Sequence, residues 1–215
     1  MAIFNTVYGG EPKWKPWANT LAYRPLTDDF NDHSWNSYNL TSNSVNLTTL
    51  SWVKCADLNS SYCNVNLLIT TLPYTMVFWC KAKWTSNTFW YMWKEWWSWW
   101  GGWIMLRNNL LTVRYWNPTD TVTDTSYTYW TDWHLYVLTF SSSWCNIYID
   151  GDLIATPKTS LSNPTNNLNP LYIWHDNGNT TYWNAYVWWV VLENKVRTAD
   201  EISKYYNQTK SNYWL

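Results

Sequence analysis

Two stretches decide the fold class of this chain: residues 133–140 read WHLYVLTF, and residues 146–155 read NIYIDGDLIA. Both are short and rich in aromatic and β-branched residues, and turn residues bound the first stretch and divide the second, which is typical of β-strands. Asp150-Gly151 is the pair that a two-residue type I′ turn favours, because both of its positions need a positive φ. The second stretch is therefore predicted to be a β-hairpin, and the first a strand that precedes it.

Segments of the same kind recur on both sides of this hairpin, separated by turn residues, which predicts an all-β sandwich or barrel. The predicted strands are 21–26, 38–41, 53–58, 75–82, 89–92, 104–107, 110–115, 134–140, 145–149, 152–155, 171–173 and 184–192. One helix is expected near the C-terminus, where Thr198 and Glu201 have the spacing of a capping box and Ile202, Tyr205 and Tyr206 follow on one face.

Charge and hydropathy exclude several partners. The net charge is −1 and no basic stripe is present, so nucleic acid is not an expected partner. No stretch of about 18 apolar residues occurs, so no membrane span is expected. Residues 1–20 lack the apolar segment of a secretory signal. They are interpreted as an N-terminal arm that could dock onto other virion or surface proteins, and residues 21–215 as one domain.

The chain has four cysteines, Cys55, Cys63, Cys80 and Cys145, and no CxxC pair that would favour a zinc site. Cys55 and Cys63 could form a disulfide across a hairpin. The alternative is four buried thiols that behave as small apolar residues, and this is the expectation for a chain without a signal peptide.

Four segments, taken in order, resemble one known family. They are LAYRPL at 21–26 with an Asp-x-Ser-x-Asn turn at 32–36, LPYTMVFWCK at 72–81, the stretch 133–151, and the closing strands with the helix at 171–206. In this order and spacing, from about Leu21 to Gln208, the chain resembles the laminin-G-like members of the concanavalin A-like lectin/glucanase superfamily. The resemblance implies a two-sheet antiparallel β-sandwich, or jelly roll, with one short C-terminal helix.

The tryptophan content is unusual. The chain has 22 Trp and 6 Gly, where roughly 15 Gly are usual at this length, and many Trp stand where turns need glycine, as in KEWWSWWGGW at 94–103. We hypothesise that many of these Trp are glycines in the natural protein, through a genetic code that reads UGA as glycine. The alternative is a Trp-rich sugar-binding surface. Against the family pattern, Trp35, Trp144 and Trp174 fall on usual glycines, whereas Trp79 and Trp133 fall on usual tryptophans.

The carboxylates disfavour catalysis. A glycosidase needs two carboxylates that flank the scissile bond, and a jelly-roll strand supplies them with Glu-x-Asp-x-x-Glu spacing. The four Glu are Glu11, Glu95, Glu193 and Glu201, and none has a carboxylate two residues away. The chain is therefore expected not to be an enzyme.

Two binding sites are predicted from the pattern of polar residues. Asp28, Asp32 and Asn36 offer hard oxygen ligands in one loop, which suits calcium, although Asp and Asn are also ordinary turn residues. The segment HDNGNTTYWN at 175–184 combines an aromatic platform with hydrogen-bonding side chains, as sugar binding requires. Its candidate sugar-binding residues are Asp176, Asn177, Asn179, Tyr182 and Trp183. The alternative is a plain hairpin loop in which Trp183 packs inward.

Three functions are compatible with these patterns. The first is a non-catalytic module that recognises a glycan or a glycosylated surface, as part of a phage virion or a cell-surface assembly. The second is a purely structural virion protein of a tail fibre or decoration, docked through residues 1–20. A glycoside hydrolase is the third. Family members include sugar-binding modules, adhesion modules, glucanases and parts of phage virion proteins, so the fold alone does not choose among them.

Overall fold

The computed structural model describes ten stretches of the chain. They are residues 19–50, 52–65, 67, 72–83, 101–107, 110–116, 124–126, 132–158, 171–173 and 183–210. For residues 60, 101–107, 110–116, 124–126, 155, 157, 158, 171–173, 183 and 184, the description covers the backbone alone.

The described residues form thirteen strands and one helix. The strands are β1 Thr20–Arg24, β2 Thr41–Asn43, β3 Asn46–Leu50, β4 Val53–Val65, β5 Tyr74–Ala82, β6 Gly101–Arg107, β7 Leu110–Trp116, β8 Asp124–Ser126, β9 Trp133–Phe140, β10 Cys145–Ile149, β11 Asp152–Lys158, β12 Leu171–Ile173 and β13 Trp183–Glu193, and the helix α1 is Ala199–Thr209. α1 is too short to cross a membrane, and no described helix qualifies as a span.

All strand pairs are antiparallel, as the jelly-roll prediction requires. The larger sheet has the order β11-β10-β9-β5-β13-β4-β12, with β1 also on β13, and β2 and β3 also on β4. A second sheet has the order β6-β7-β8. β4 links two sets of partners, because its first half pairs with β3 and β13 and its second half with β2 and β12.

Most predicted strands are confirmed, with three differences. The Asp150-Gly151 hairpin has the expected positive φ at both turn positions, 54° and 91°. Residues 38–40 are a loop rather than a strand, because the Tyr38 N–H donates to the Asp32 carboxylate and not to a neighbouring strand. β3 and β8 were not predicted, since their Asn, Thr and Ser residues lack an apolar alternation. The predicted strand 89–92 lies outside the described residues.

The central strand β13 has a bulge that sets which side chains face which layer. Val187 pairs with Cys80 and Trp189 with Trp79, so Trp188 is an extra residue in β13. Trp188 and Trp189 are both buried on the side of α1. Val187 and Val190 face the opposite side, which is the larger, inner core. A bulge of this kind reverses the strand's alternation of faces.

Helix α1 covers part of the outer face of this sheet. Ile202 is buried there, the Tyr206 ring stacks on Trp79 at 5.9 Å between ring centroids, and the Tyr205 ring meets Trp189 edge-on at 5.4 Å. The predicted capping box is confirmed, since the Thr198 side chain accepts from the Glu201 N–H and the Glu201 side chain accepts from the Thr198 N–H.

Charged residues fix the start of the helix to β13. The Arg197 guanidinium binds both oxygens of the buried Glu193 carboxylate, and it also reaches Glu201. Lys195 donates to Glu201 at 2.7 Å. The segment between β13 and α1 is therefore held by paired charges at both of its ends.

The four cysteines are free and buried, so the expectation of buried thiols is confirmed and the disulfide alternative is wrong. Burial raises the pKa of the Cys55 and Cys63 thiols to about 12. Burial also raises the pKa of the Cys80 and Cys145 thiols.

Replacing the turn glycine should weaken the attachment of α1. In Gly151→Ala, a Cβ would lie 3.3 Å from the Cα of Ser203 and the Cβ of Tyr206, at a φ of 91° that Ala rarely adopts. We expect a loss of about 1–3 kcal/mol of unfolding free energy, measured by urea denaturation. Asp152→Ala, an exposed change in the same hairpin, is the control, with an expected change below about 0.5 kcal/mol. Equal effects of the two substitutions would contradict this packing.

Acid should weaken the cap of α1. The pKa of the Glu201 carboxyl is lowered overall. Burial alone would raise it, but hydrogen bonds from Lys195 and from the Thr198 N–H, together with the attraction of Arg197 and Lys195, outweigh burial. A carboxyl whose folded pKa is depressed contributes stability above its unfolded pKa of about 4.3, and this is lost as pH falls through the folded pKa. We expect Glu201→Gln to make the unfolding free energy less dependent on pH between about 5 and 3 than in the unsubstituted chain. An unchanged pH dependence would show that Glu201 is not specifically stabilised.

Candidate functional site

The predicted sugar-binding residues fall mostly beyond the described part of the chain. Asp176, Asn177, Asn179 and Tyr182 lie outside the described residues, and Trp183 is described by its backbone alone. That backbone opens β13, where Trp183 pairs with Ser61 of β4. The predicted segment therefore leads directly into the central strand, and its role in sugar binding stays a prediction.

The loop after β1 is organised by the Asp32 carboxylate. Its Oδ1 accepts from the N–H groups of Tyr23 and Ser34, at 2.8 and 2.9 Å. Its Oδ2 accepts from the Ser34 hydroxyl at 2.7 Å and from the Tyr38 N–H at 2.8 Å. These four hydrogen bonds to one buried carboxylate fix the loop to β1. They also satisfy the backbone N–H groups of Ser34 and Tyr38, which therefore need no partner on a neighbouring strand.

Tyr38 also connects this carboxylate to a buried cation. The Arg24 side chain is fully buried, and its Nε and Nη2 donate to the Tyr38 carbonyl at 3.0 and 2.6 Å. Burial lowers the pKa of Arg24 to about 10, against the opposing attraction of Asp32. Arg24 is therefore still charged at neutral pH, and the backbone of Tyr38 bridges it to its counter-charge.

The three predicted calcium ligands point to different partners. Asp28 forms an ion pair with Lys54, Asp32 is used by the four donors above, and the Asn36 amide donates to the carbonyls of Thr20 and Leu21. Among the described residues, no group of three or more His, Cys, Asp or Glu side chains is placed to hold a metal. Calcium stays a prediction.

The tryptophans divide into two environments that bear on the glycine hypothesis. Trp35 is 85% exposed, and Trp52 is 73% exposed with a φ of 76° in the turn between β3 and β4. The positive φ of Trp52 suits glycine, whereas Trp35 is an exposed residue without a positive φ. Trp79 and Trp133, the expected true tryptophans, are buried. Trp189 is also buried, and glycine there would leave a cavity beneath Tyr205. The glycine hypothesis stays a prediction, and it fits the exposed Trp35 and Trp52 better than the buried Trp189 next to the bulge.

A row of polar and aromatic side chains crosses the outer face next to the part that α1 covers. Tyr186 of β13 pairs with Asp57 of β4 and Lys81 of β5; Asp57 pairs with Asn46 of β3, and Lys81 with Trp133 of β9. Paired residues of an antiparallel ladder share a face, so these five residues form one line over five strands. We call it the Tyr186 row.

Two ion pairs add Lys83 and Asp132 to the Tyr186 row, and the name includes them from here on. Lys83, just past β5, pairs with Asp57, and its Nζ lies over the Tyr186 ring, 4.6 Å from the centroid. Lys81 lies 3.6 Å from the Asp132 carboxylate, at the start of β9. Tyr186, Asp57, Lys81 and Lys83 are half-buried, while Asn46 is exposed. The row therefore offers an aromatic ring beside hydrogen-bonding groups that are held in place.

Sequence reasoning missed the Tyr186 row because its members come from five separate strands. Within one strand the signal is weak: Tyr186 and Lys81 are single polar or aromatic residues in apolar runs. The bulge at Trp188 also hides the pattern, because residues 186 and 191 would face opposite sides of an unbulged strand. Only the registers between strands bring these residues together.

Comparison with known proteins supports the fold. A family model described as the concanavalin A-like lectin/glucanases superfamily matches residues 30–203. Domain 4 of AbnA, an extracellular GH43 arabinanase from Geobacillus stearothermophilus, solved with arabinotriose, is similar with a TM-score of 0.67 and 14% identity, covering 87% of this chain and 98% of that one.

Toxin binding domains share the same fold over half of their length. The binding domain of paraclostridial mosquitocidal protein 1 is similar with a TM-score of 0.72 and 17% identity, over 88% of this chain and 52% of that one. The binding domain of botulinum neurotoxin DC, solved with SialylT, has a TM-score of 0.71 and 16% identity, over 88% and 51%. No curated protein sequence matches this chain.

Removing the charge of Asp32 should unfold the loop. In Asp32→Asn, the amide would turn an NH2 group toward donors that now meet a carboxylate, so we expect a loss of about 2–4 kcal/mol of unfolding free energy. Asp28→Asn breaks an exposed ion pair in the same loop, and we expect a much smaller effect because solvent screens that pair. Thermal and urea unfolding of both variants measure the difference, and equal costs would refute the role given to Asp32.

Proposed function

The chain belongs to the concanavalin A-like lectin/glucanase superfamily, and from that premise we propose that it is a non-catalytic carbohydrate-binding module. The observation that carries this proposal is the Tyr186 row, in which an aromatic ring adjoins Asn, Asp and Lys side chains on one sheet face. Sugars are recognised by this combination, because C–H groups pack on aromatic rings and hydroxyls pair with planar or charged polar groups.

The predicted sugar-binding segment adjoins this row. Trp183 opens β13 and lies three residues before Tyr186, so the chain runs from residues 176–182 into the row. We propose that Asp176, Asn177, Asn179, Tyr182 and Trp183 belong to the same binding surface. A sugar chain of several units would then contact the row with one unit and these residues with the next.

The spacing of the carboxylates in the row supports binding rather than hydrolysis. Asp57 is on β4 and Asp132 adjoins β9, with β13 and β5 between them. Three strand spacings of about 4.8 Å place these two residues about 14 Å apart. The carboxyl pairs of glycosidases are separated by about 5–9.5 Å. In addition, each of the two carboxylates is paired with a lysine.

The structural relatives support this reading through their own ligands. The arabinanase domain was solved with arabinotriose, and a botulinum neurotoxin domain with SialylT. The first is domain 4 of an arabinanase and the second is a toxin binding domain, and we propose a binding role of this kind here, on a cell surface or a virion. The part of residues 1–20 in docking to such an assembly remains within this proposal, as does calcium in the Asp28–Asn36 loop.

A glycan array tests the proposed function. The purified chain, shown to be folded by cooperative thermal unfolding, is applied to an array of neutral and acidic oligosaccharides, with calcium and again with EDTA. We expect selective, saturable binding. Loss of binding in EDTA, together with a weaker calcium response in Asp28→Asn, is the result expected if calcium holds the loop. Folded protein that binds no glycan would refute the carbohydrate-binding function.

A further inference from the structure

The charges of the Tyr186 row restrict the class of sugar that it can hold. We infer that the row binds neutral sugars, with two neighbouring hydroxyls of one sugar unit placed between the Asp57 carboxylate and the Lys83 ammonium. This inference rests on the proposed carbohydrate-binding function and specifies its ligand. The observation behind it is that each cation of the row is matched by an anion, so the row carries no net charge.

The Asp57–Lys83 ion pair is the polar centre of the row. Its side chains are only 29% and 15% exposed, and Tyr186 holds the ammonium by a cation–π contact at 4.6 Å. The ammonium has three N–H donors, and the carboxylate has several acceptor sites. Asp57 Oδ1 receives Lys83, while Oδ2 has no hydrogen-bond partner among the described residues. One acceptor and at least one donor are thus available, fixed side by side.

A sugar hydroxyl fits this arrangement because it is both donor and acceptor. One hydroxyl can donate to Asp57, and its neighbour can accept from Lys83, while the ion pair stays intact. Tyr186 holds the ammonium through the cation–π contact, so the Lys83 donors stay fixed beside Asp57. A neutral sugar therefore gains charge-assisted hydrogen bonds, which are stronger than neutral ones, without separating any charges.

An acidic sugar meets two costs at the same place. Its carboxylate would approach Asp57, and like charges repel. To reach Lys83 it would have to displace Asp57, which leaves a half-buried carboxylate without its partner. Lys81 offers no better position, since it is paired with Asp132. The matched charges also predict that binding depends little on salt, because the row has no net charge for ions to screen.

Matched pairs of sugars test this inference. Calorimetric titration of the full chain would compare gluco-, galacto- and manno-oligosaccharides with their uronic-acid counterparts, and lactose with sialyllactose. We expect the neutral member of the best-bound pair to bind at least tenfold more tightly. Its affinity should change less than threefold between 50 and 500 mM NaCl. A preference for the acidic members, or a steep loss of affinity with salt, would overturn the inference.

Substitutions in the ion pair separate this role from a structural one. We expect Lys83→Ala and Asp57→Ala each to weaken binding of the neutral sugar at least tenfold. Asp57→Asn should shift the preference toward the acidic member, because Lys83 then has no matching anion. Lys204→Ala, which removes an exposed lysine of α1 outside the row, is the matched control with unchanged affinity. Circular dichroism and thermal unfolding confirm that each variant is folded.

The outcomes distinguish the two proposals. If the unsubstituted chain binds sugars and Lys83→Ala binds them equally well, the site is elsewhere and this inference fails, while the carbohydrate-binding function stands. If the folded chain binds no member of the panel and no glycan of the array, the proposed function fails and the inference fails with it.

Discussion

One extra residue in β13 determines how the outer face of the sheet is divided. Because Trp188 is inserted opposite an unbulged partner, the side chains at 186, 189 and 191 all face outward, although 186 and 191 differ in parity. Residues 189 and 191 pack beneath α1, and Tyr186 lies just beyond it. Without the bulge, either α1 would lose the apolar side chains of β13 on which it packs, or Tyr186 would face the inner core. The helix and the Tyr186 row therefore share a face only because of this irregularity.

A second constraint acts at the other side of β13, where β1 joins it. Arg24 is buried with its charge, and Asp32 balances that charge through the backbone of Tyr38. Burying an ion costs free energy unless it is paired and hydrogen-bonded. Here the Tyr38 carbonyl accepts from two nitrogens of Arg24 and the Tyr38 N–H donates to Asp32, so the contacts that stabilise Arg24 also give the loop its shape. The loop that follows β1 is thus held to β1 by the same contacts that stabilise Arg24.

The sequence predicted what depends on local pattern and missed what depends on register. The Asp150-Gly151 turn and the Thr198–Glu201 cap follow from the conformations that those residues favour, and both were confirmed. β3 was missed because Asn46, Thr48 and Thr49 form a strand only through pairing with β4. The Tyr186 row could not be read from the sequence, since Asp57, Lys83 and Tyr186 are brought together by two strand registers and one bulge. Tertiary pairing decides such sites.

The four buried cysteines give the molecule a set of internal reporters. They lie on β4, β5 and β10, in both cores, and each thiol is kept protonated by its surroundings. A thiol-modifying reagent can attack only the thiolate of an accessible cysteine. Modification of each cysteine therefore records how often its own part of the sheet opens, from edge-near β10 to central β5. Thiol-modification rates of the native cysteines therefore report the free energy of local opening at four positions, without an added label.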